Sequence, residues 1–320
     1  MKFSIVIPVY NVEDYIVGAL KSIYSQGLDE SEFEVIVVDD GSPDNSILKV
    51  EDFMGDHKNL IIVRQENQGV SVARNNGIKA ASGDYVAFVD PDDVVLDSAL
   101  PKLLSVIKNH QDVDIFVARS YIEGKETCKF SEEFLNNDMF VTEAFDRGYR
   151  RGSVCGVLYR RSLFGKDAHF PPGIILAEDT ICFNLLLMQA KRIMFCDIPM
   201  YSVTIRNTSA SHAYTMKKMN SYNKNMQFIL NYKTNHPNLN DYQKMMLDYA
   251  TYVSISNASH FYLNLHKFNI GELKKILEIN KVLPLNERCF TQNKKVKLLN
   301  RSFWLFFVLL MLRRLLGKTN

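Results

Sequence analysis

Tyr85-Val86-Ala87-Phe88-Val89 runs straight into Asp90-Pro91-Asp92-Asp93, an apolar run followed by three carboxylates within four positions. The first part reads as a β-strand, and the second puts negative charge just past its carboxyl end. The same arrangement occurs upstream. Val35-Ile36-Val37-Val38 has no polar interruption, as expected of a strand buried on both faces, and it ends in Asp39-Asp40-Gly41-Ser42-Pro43. Ser4 to Val9, Leu60 to Val63 and Asp114 to Val117 add further strands.

Helical patterns separate these runs. Val12 to Ser25 places Ile16, Ala19, Leu20 and Ile23 on one face, and Val70, Ala73, Gly77 and Ala80 repeat at the same spacing, with Gly83 as a stop signal. A helix follows the Asp39–Pro43 turn, and another spans Ser98 to Asn109. This succession predicts an α/β fold, a mostly parallel sheet flanked by helices and joined by right-handed crossovers. Ligands of such sheets lie at the carboxyl ends of the strands, so Asp39, Asp40, Asp90, Asp92 and Asp93 are expected along one edge. From about Ser120 to Arg151 the pattern weakens into a partly helical excursion. Helical patterns dominate after His212, notably Met219 to Tyr232 and Tyr242 to Leu265. The division expected is a first domain over 1–215 and a helical C-terminal region over 216–320.

Composition narrows the function. The chain has 320 residues, 47% hydrophobic and 23% charged, enough for a sizeable core, and its net charge of +2 is too small to argue for nucleic acid. Its five cysteines, Cys128, Cys155, Cys182, Cys196 and Cys289, lack metal-ligand spacing and are odd in number, which favours reduced thiols in a cytosolic protein. The N-terminal run reads as a strand with no cleavage site, so no signal peptide is expected.

No glycine-rich phosphate loop follows the first strand, where the residues are Pro8-Val9-Tyr10-Asn11. A phosphate-bearing ligand needs another cradle, and a divalent metal held by carboxylates is the obvious one. Oxygen-only ligands suit manganese or magnesium. The alternative for Asp90–Asp93 is a solvated turn whose Asp93, or Asp97 beyond it, caps the next helix. Asp40 could accept a hydrogen bond from a nucleobase imide, or serve an ordinary Asp-Gly turn. Each turn taken alone favours the plain reading; two at one sheet edge favour a ligand site. Glu178-Asp179 reads either as a helix start or as a general base. Arg206 and His212 lie in a polar loop.

In order along the chain, Ser4–Asn11, Val37–Ser42, Glu66–Gly69 with Ala73-Arg74-Asn75, Asp84–Asp93 and Glu178-Asp179 resemble the motifs of family 2 glycosyltransferases of the bacterial polysaccharide type. The resemblance covers roughly the first two-thirds of the chain. It implies a GT-A fold, a nucleotide-sugar donor and transfer with inversion to a glycan or lipid-linked hydroxyl acceptor. Pro8, Tyr10, Asp40, Arg74, Asp90 and Arg206 would contact the donor, with Asp40 accepting from uracil N3–H of a UDP-sugar. Asp92, with His212 beside it, would hold manganese or magnesium. Asp179 matches the general base and Glu178 its neighbour near the acceptor. One departure is Val157-Leu158-Tyr159-Arg160-Arg161, where relatives often carry a lysine. A silent binding or scaffold protein of the same fold is the alternative function.

The C-terminal tail, 302–320, contains the most apolar run, Phe303 to Leu312, too short to span a bilayer. Lys294, Lys295, Lys297 and Arg301 precede it and Arg313, Arg314 and Lys318 follow. Basic flanks around a Trp- and Phe-rich run suit an anionic membrane surface, which predicts a cytoplasmic protein at the inner face of the cell membrane. The alternatives are a core helix or a homodimer contact.

Overall fold

Seven consecutive buried residues, Phe3–Val9, form β1 and lie inside a mixed sheet in the computed structural model. The structure describes residues 2–55, 57–122, 124–126, 133–136, 153–205, 215–265, 267–285 and 294–315. They divide into two compact units, one of Met1–Gly173 with Leu185–Arg206, the other of Ile174–Asn184 with Asn207–Asn320.

In the first unit, β1 is flanked in parallel by β2 (Phe33–Asp39) and β4 (Tyr85–Phe88), and β3 (Leu60–Arg64) extends the parallel run beyond β2. Helices α1 (Ile16–Tyr24), α2 (Ser46–Met54) and α3 (Val70–Ala80) make the crossovers. This half is the parallel α/β arrangement expected. The strand order reverses at β1, because the chain steps outward through β2 and β3 and then returns to β1's other side as β4. Such a reversal opens a crevice outside the carboxyl ends of the strands.

Beyond β4 the sheet becomes mixed. After β5 (Val94–Val95) and α4 (Ala99–Asn109) come β6 (Ile115–Ile122), β7 (Lys125–Glu126), β8 (Glu133–Asn136) and β9 (Val157–Arg160). β9 inserts antiparallel between β4 and β6. β10 (Arg192–Val203) then runs parallel to β6, slipping register on both sides of Pro199, a residue with no N–H to give the ladder. The full order is β3-β2-β1-β4-β9-β6-β10-β5, with β7 on β6 and β8 on β10. The 120–151 segment, expected to be partly helical, is strand at 120–122, 125–126 and 133–136, with a turn at Gly124. Residues 127–132 and 137–152 lie outside the described residues.

Three local readings are corrected. α1 starts at Ile16 and not Val12, because residues 11–13 are tied across the edge: Asn11 N–H donates to Ser42 Oγ, Val12 N–H to Ser46 Oγ and Glu13 N–H to Asp44. Gly83 is not a helix stop; α3 ends with Ala81 extended, and a Cβ on Gly83 would lie 2.7 Å from the Lys2 carbonyl oxygen. Neither Asp93 nor Asp97 caps α4. Its first N–H groups, Ala99 and Leu100, donate to Gln26 Oε1 from the end of α1.

Gly77 is required by packing. A Cβ there would sit 2.3 Å from Val6 Cγ1 and 3.2 Å from Val38 Cγ2, so α3 lies on β1 and β2 with no room for a methyl group. Gly77→Ala is expected to destabilise the protein by about 1–3 kcal/mol through overpacking, read by urea unfolding. An unchanged midpoint would mean that the helix–sheet seam yields freely.

At the opposite, amino edge a buried polar cluster holds the strands together. Glu34, 3% exposed, pairs with Lys2 Nζ at 2.8 Å and accepts from Ser4 Oγ, Ser82 Oγ and the Ser82 N–H, each at 2.6 Å. Burial alone would raise its pKa, but Lys2, Ser4 and Ser82 outweigh that and hold it down at about 2. A depressed carboxyl contributes stability above its unfolded pKa and loses it as pH falls through the folded value. Glu34→Gln should therefore cost up to about 3 kcal/mol at neutral pH. In urea unfolding, that deficit should shrink as pH falls from 4.5 toward about 2. A deficit independent of pH would show that charge at Glu34 contributes nothing.

In the second unit the described helices after residue 215 are α6 (Met216–Asn235), α7 (Asp241–Asn264), α8 (Ile270–Ile276), α9 (Ile279–Val282), α10 (Lys294–Arg301) and α11 (Phe303–Leu315). A capping box starts α7: Asn240 accepts from the Gln243 N–H at 2.8 Å and donates its own N–H to Gln243 Oε1 at 3.1 Å. Met226, Ile255, Tyr262, Leu273, Leu299, Phe306 and Leu310 share one apolar core. The helix α5 (Glu178–Gln189) begins in this unit and ends in the first.

Candidate active site

Four loops meet at the carboxyl edge of the parallel strands, following β1, β2, β3 and β4. β1 ends in buried Pro8 and Val9, after which Tyr10 emerges 48% exposed. Asp39 Oδ1 accepts from the Ser42 N–H at 2.8 Å, which closes the turn after β2. Gly41 there has φ +67, and a Cβ on it would lie 3.0 Å from the Asn67 nitrogen, so the β2 and β3 loops touch through glycine.

Asp40 is 4% exposed and fastens the β3 loop. Its Oδ1 accepts from Gln65 Nε2 at 2.8 Å and from the Gln68 N–H at 2.7 Å; its Oδ2 accepts from the Gly69 N–H at 2.9 Å. A carboxylate has roughly four acceptor positions, and three of these are engaged, leaving capacity on Oδ2. Gly69, with φ +88, begins α3.

The Ala73-Arg74-Asn75 motif works inward. Arg74 is 5% exposed; its guanidinium donates to Asp90 Oδ1 at 2.9 Å and lies 5.2 Å from the centre of the Phe170 ring. Asn75 fixes that ring's backbone, donating to the Phe170 carbonyl at 2.8 Å and accepting from its N–H at 3.0 Å. A planar guanidinium held by an aromatic face on one side and a carboxylate on the other leaves Asp90 little rotational freedom.

The three carboxylates after β4 differ. Asp90 is partly exposed and Asp92 half-buried at the edge, whereas Asp93 is 6% exposed and turned inward. Asp93 accepts from Tyr201 Oη at 2.6 Å and from the Thr204 N–H at 2.8 Å. Tyr201 Oη in turn accepts from the Asp90 N–H at 3.0 Å, so β10 carries the floor beneath Asp90. Burial pushes the Asp93 carboxyl up to about 7 against those two hydrogen bonds, and the charges of Asp90 and Asp92 push the same way. Burial likewise raises Cys155 and Tyr201, both beside Asp90 and Asp93. Cys155, Cys182 and Cys196 are free and buried. Tyr201, Cys155 and Phe170 carry no motif, and nothing in their local sequence marks them.

Glu178 and Asp179 open α5, in the second unit. Glu178 is 7% exposed, and Asp179 is half-buried with Oδ1 accepting from the Thr180 N–H at 2.8 Å. Both acids lie in the first turn of the helix, the end at which acidic side chains are preferred. The preceding turn is held from α6: the Ile175 N–H donates to Ser221 Oγ at 3.3 Å, and Asn225 Nδ2 to the Leu176 carbonyl at 3.0 Å. Ala177, which joins this turn to α5, has φ +60, a left-handed conformation that costs an alanine about 1 kcal/mol or more. Arg206 and His212 lie outside the described residues. Among the described residues, no group of three or more His, Cys, Asp or Glu side chains is arranged to hold a metal ion.

The sequence profile described as Glycosyl transferase family 2 matches residues 4–167. The chain is similar to the minor teichoic acid biosynthesis protein GgaB of Bacillus subtilis, 28% identical over 67% of this chain and 24% of that protein. It thus spans about a quarter of the length of that relative. Among solved structures, Staphylococcus aureus TarS 1-349 in complex with UDP-GlcNAc superposes with a TM-score of 0.73 at 24% identity, covering 96% of this chain and 88% of that one. A mannosyltransferase from Pyrobaculum calidifontis in complex with GDP-Man and Mn2+ superposes with a TM-score of 0.52 at 15% identity, covering 99% and 88%. These likenesses establish the GT-A fold.

Proposed function

The chain belongs to glycosyl transferase family 2, and from that premise we propose that it moves a sugar from a UDP-sugar, with inversion, to a hydroxyl of a glycan or lipid-linked acceptor. The work served is cell-surface polysaccharide synthesis at the cytoplasmic face of the membrane. The observation that carries this reading is the edge where Asp40 from β2's loop and Asp90 and Asp92 from β4's loop collect, with Arg74 setting Asp90. The UDP-GlcNAc in the TarS complex and the teichoic acid role in GgaB's name support the donor and acceptor classes.

Manganese or magnesium fits the donor set. Asp90 and Asp92 offer oxygen only, and such ions take one or two carboxylates with the remaining positions left to water and substrate phosphate. Asp92 would hold the ion, which when bound offsets charge on the leaving diphosphate. Inward-turned Asp93 contributes nothing to that set. Pro8, Tyr10 and the remaining acceptor position of Asp40 would meet the uracil, and Arg206 would contact the diphosphate. Asp179 takes the proton of the acceptor hydroxyl as that oxygen bonds to the anomeric carbon. The bond from that carbon to the diphosphate oxygen breaks, and UDP leaves. Attack and departure on opposite faces of the sugar invert the anomeric centre. Glu178 lies beside the acceptor.

Calorimetric titration with UDP, with and without manganese, followed by product analysis on UDP-sugars, tests the reading. Manganese-dependent binding and release of UDP are expected. Release of pyrophosphate would overturn the reaction class, and absence of any nucleotide binding by the folded chain would leave a scaffold.

A further inference from the structure

Residues 294–315 contain six cations, Lys294, Lys295, Lys297, Arg301, Arg313 and Arg314, and no carboxylate. They form α10 and α11, which meet at Ser302: its N–H donates to the Leu298 carbonyl at 2.8 Å and its carbonyl accepts from the Phe306 N–H at 3.1 Å. Each helix has an inward row. Val296 and Leu299 of α10, and Phe303, Phe306, Phe307 and Leu310 of α11, are 4% exposed or less and belong to the core of the second unit.

The outward rows differ in kind. On α10 the outward residues are Lys294, Lys297 and Arg301, all exposed. On α11 they are Trp304, Leu305, Leu312 and Leu315, exposed by 55%, 43%, 48% and 75%. Their spacing of one, seven and three positions keeps all four on one helix face, opposite the buried one. A helix with one face already in a core ordinarily turns polar side chains to water. A contiguous exposed apolar face marks a binding surface.

The charges indicate what covers it. Arg301 lies within one turn of Trp304 and Leu305. Lys295, Arg313 and Arg314 all act on half-buried His260 of α7, whose pKa is lowered by burial first and then by these three cations, so charges from both helices gather in one place. A partner for this surface must match exposed apolar residues on α11 and exposed cations on α10. An anionic bilayer matches both, with leucine and tryptophan entering the acyl boundary while the long basic side chains reach headgroups. Among the described residues no helix is long and apolar enough to cross a membrane. At 1.5 Å per residue the stretch from Trp304 to Leu315 is only about 17 Å long, which suits a helix lying in the interface.

We propose that the outward face of α10 and α11 docks this chain on an anionic lipid surface, with Trp304, Leu305, Leu312 and Leu315 inserted and Lys294, Lys297 and Arg301 on headgroups. The proposal extends the membrane-face placement above and is independent of the transfer reaction.

Trp304 is the chain's one tryptophan, so its emission reports this face directly. The full chain is mixed with vesicles of phosphatidylcholine alone or with added phosphatidylglycerol, and both pelleting and tryptophan emission are followed. Pelleting and a blue shift with anionic vesicles only are expected. Leu305→Glu with Leu312→Glu should weaken partitioning at least about tenfold. Reversing Lys294, Lys297 and Arg301 to Glu should weaken it by about fivefold per cation or more, with the wild type losing binding as salt rises. UDP titration of each variant checks the fold. Unchanged emission with anionic vesicles would overturn the proposal, as would equal pelleting of all variants. A blue shift that grows with protein concentration without vesicles, with dimer mass by light scattering, would overturn it in favour of contact between two copies. Vesicle docking without UDP binding would uphold the surface and sink the transferase reading instead.

Discussion

Asp179→Asn should lower sugar transfer by about 10²–10⁴-fold, the range a general base contributes, while the affinity for UDP stays near the wild-type value. The substitution keeps the shape of the side chain and its acceptor for the Thr180 N–H, now 2.8 Å away, so the start of α5 is preserved. What is lost is the negative oxygen proposed to receive the acceptor's proton. The loss should fall on kcat, because the proton moves in the transition state and not when the donor binds. Single-turnover transfer with saturating donor, beside calorimetry of UDP, separates the two. Equal loss of both would make Asp179 a donor ligand or a structural residue, and the assignment of the base would fail.

The second large effect is expected at Asp92. Asp92→Asn should reduce manganese-dependent UDP affinity by about 100-fold, the upper end of what perturbing a metal's immediate surroundings costs, and leave metal-free UDP binding unchanged. Asp93→Asn is the informative control because it is the adjacent residue of the same type. Its carboxyl is turned in toward Tyr201 and Thr204, so the variant should lose stability and retain the manganese effect. If Asp92→Asn bound UDP and manganese as the wild type does, Asp92 would not be a ligand of the ion.

Much of the first unit was legible because its information is local. Val35–Val38 and Tyr85–Val89 are apolar without interruption, and each stops at carboxylates, so strand, strand end and charged edge could be read together. The helix spacing of Val70, Ala73 and Gly77 was legible for the same reason. The mixed half of the sheet was not. Val157–Arg160 is four residues long, and nothing within it records that it inserts antiparallel between β4 and β6, because strand direction depends on partners far away in the chain. Residues 120–122 and 133–136 lost their strand pattern for the same reason.

The site shows the same division. Asp90, Asp92 and Asp93 could be listed from their order alone, as could Asp40, Glu178 and Asp179, since motif spacing survives in one dimension. Which oxygen faces the crevice could not. Asp92 and Asp93 are chemically identical neighbours, and only the arrival of Tyr201, 108 positions later, draws one of them inward. Arg74 was legible as a charged residue beside the motif, but its packing on Phe170 and grip on Asp90 required the fold to bring three distant segments together.

By itself the sequence determined a parallel α/β half, an acidic carboxyl edge, the family and an apolar, basic C-terminal tail. Each rests on patterns repeating within a few residues. Tertiary structure decided which way β9 runs, which carboxylate turns inward, and which face of α11 is spent on the core. That last choice was open in one dimension because α11 is apolar on both sides. Packing Phe303, Phe306, Phe307 and Leu310 inward leaves Trp304, Leu305, Leu312 and Leu315 outside, since a helix cannot bury opposite faces against one core.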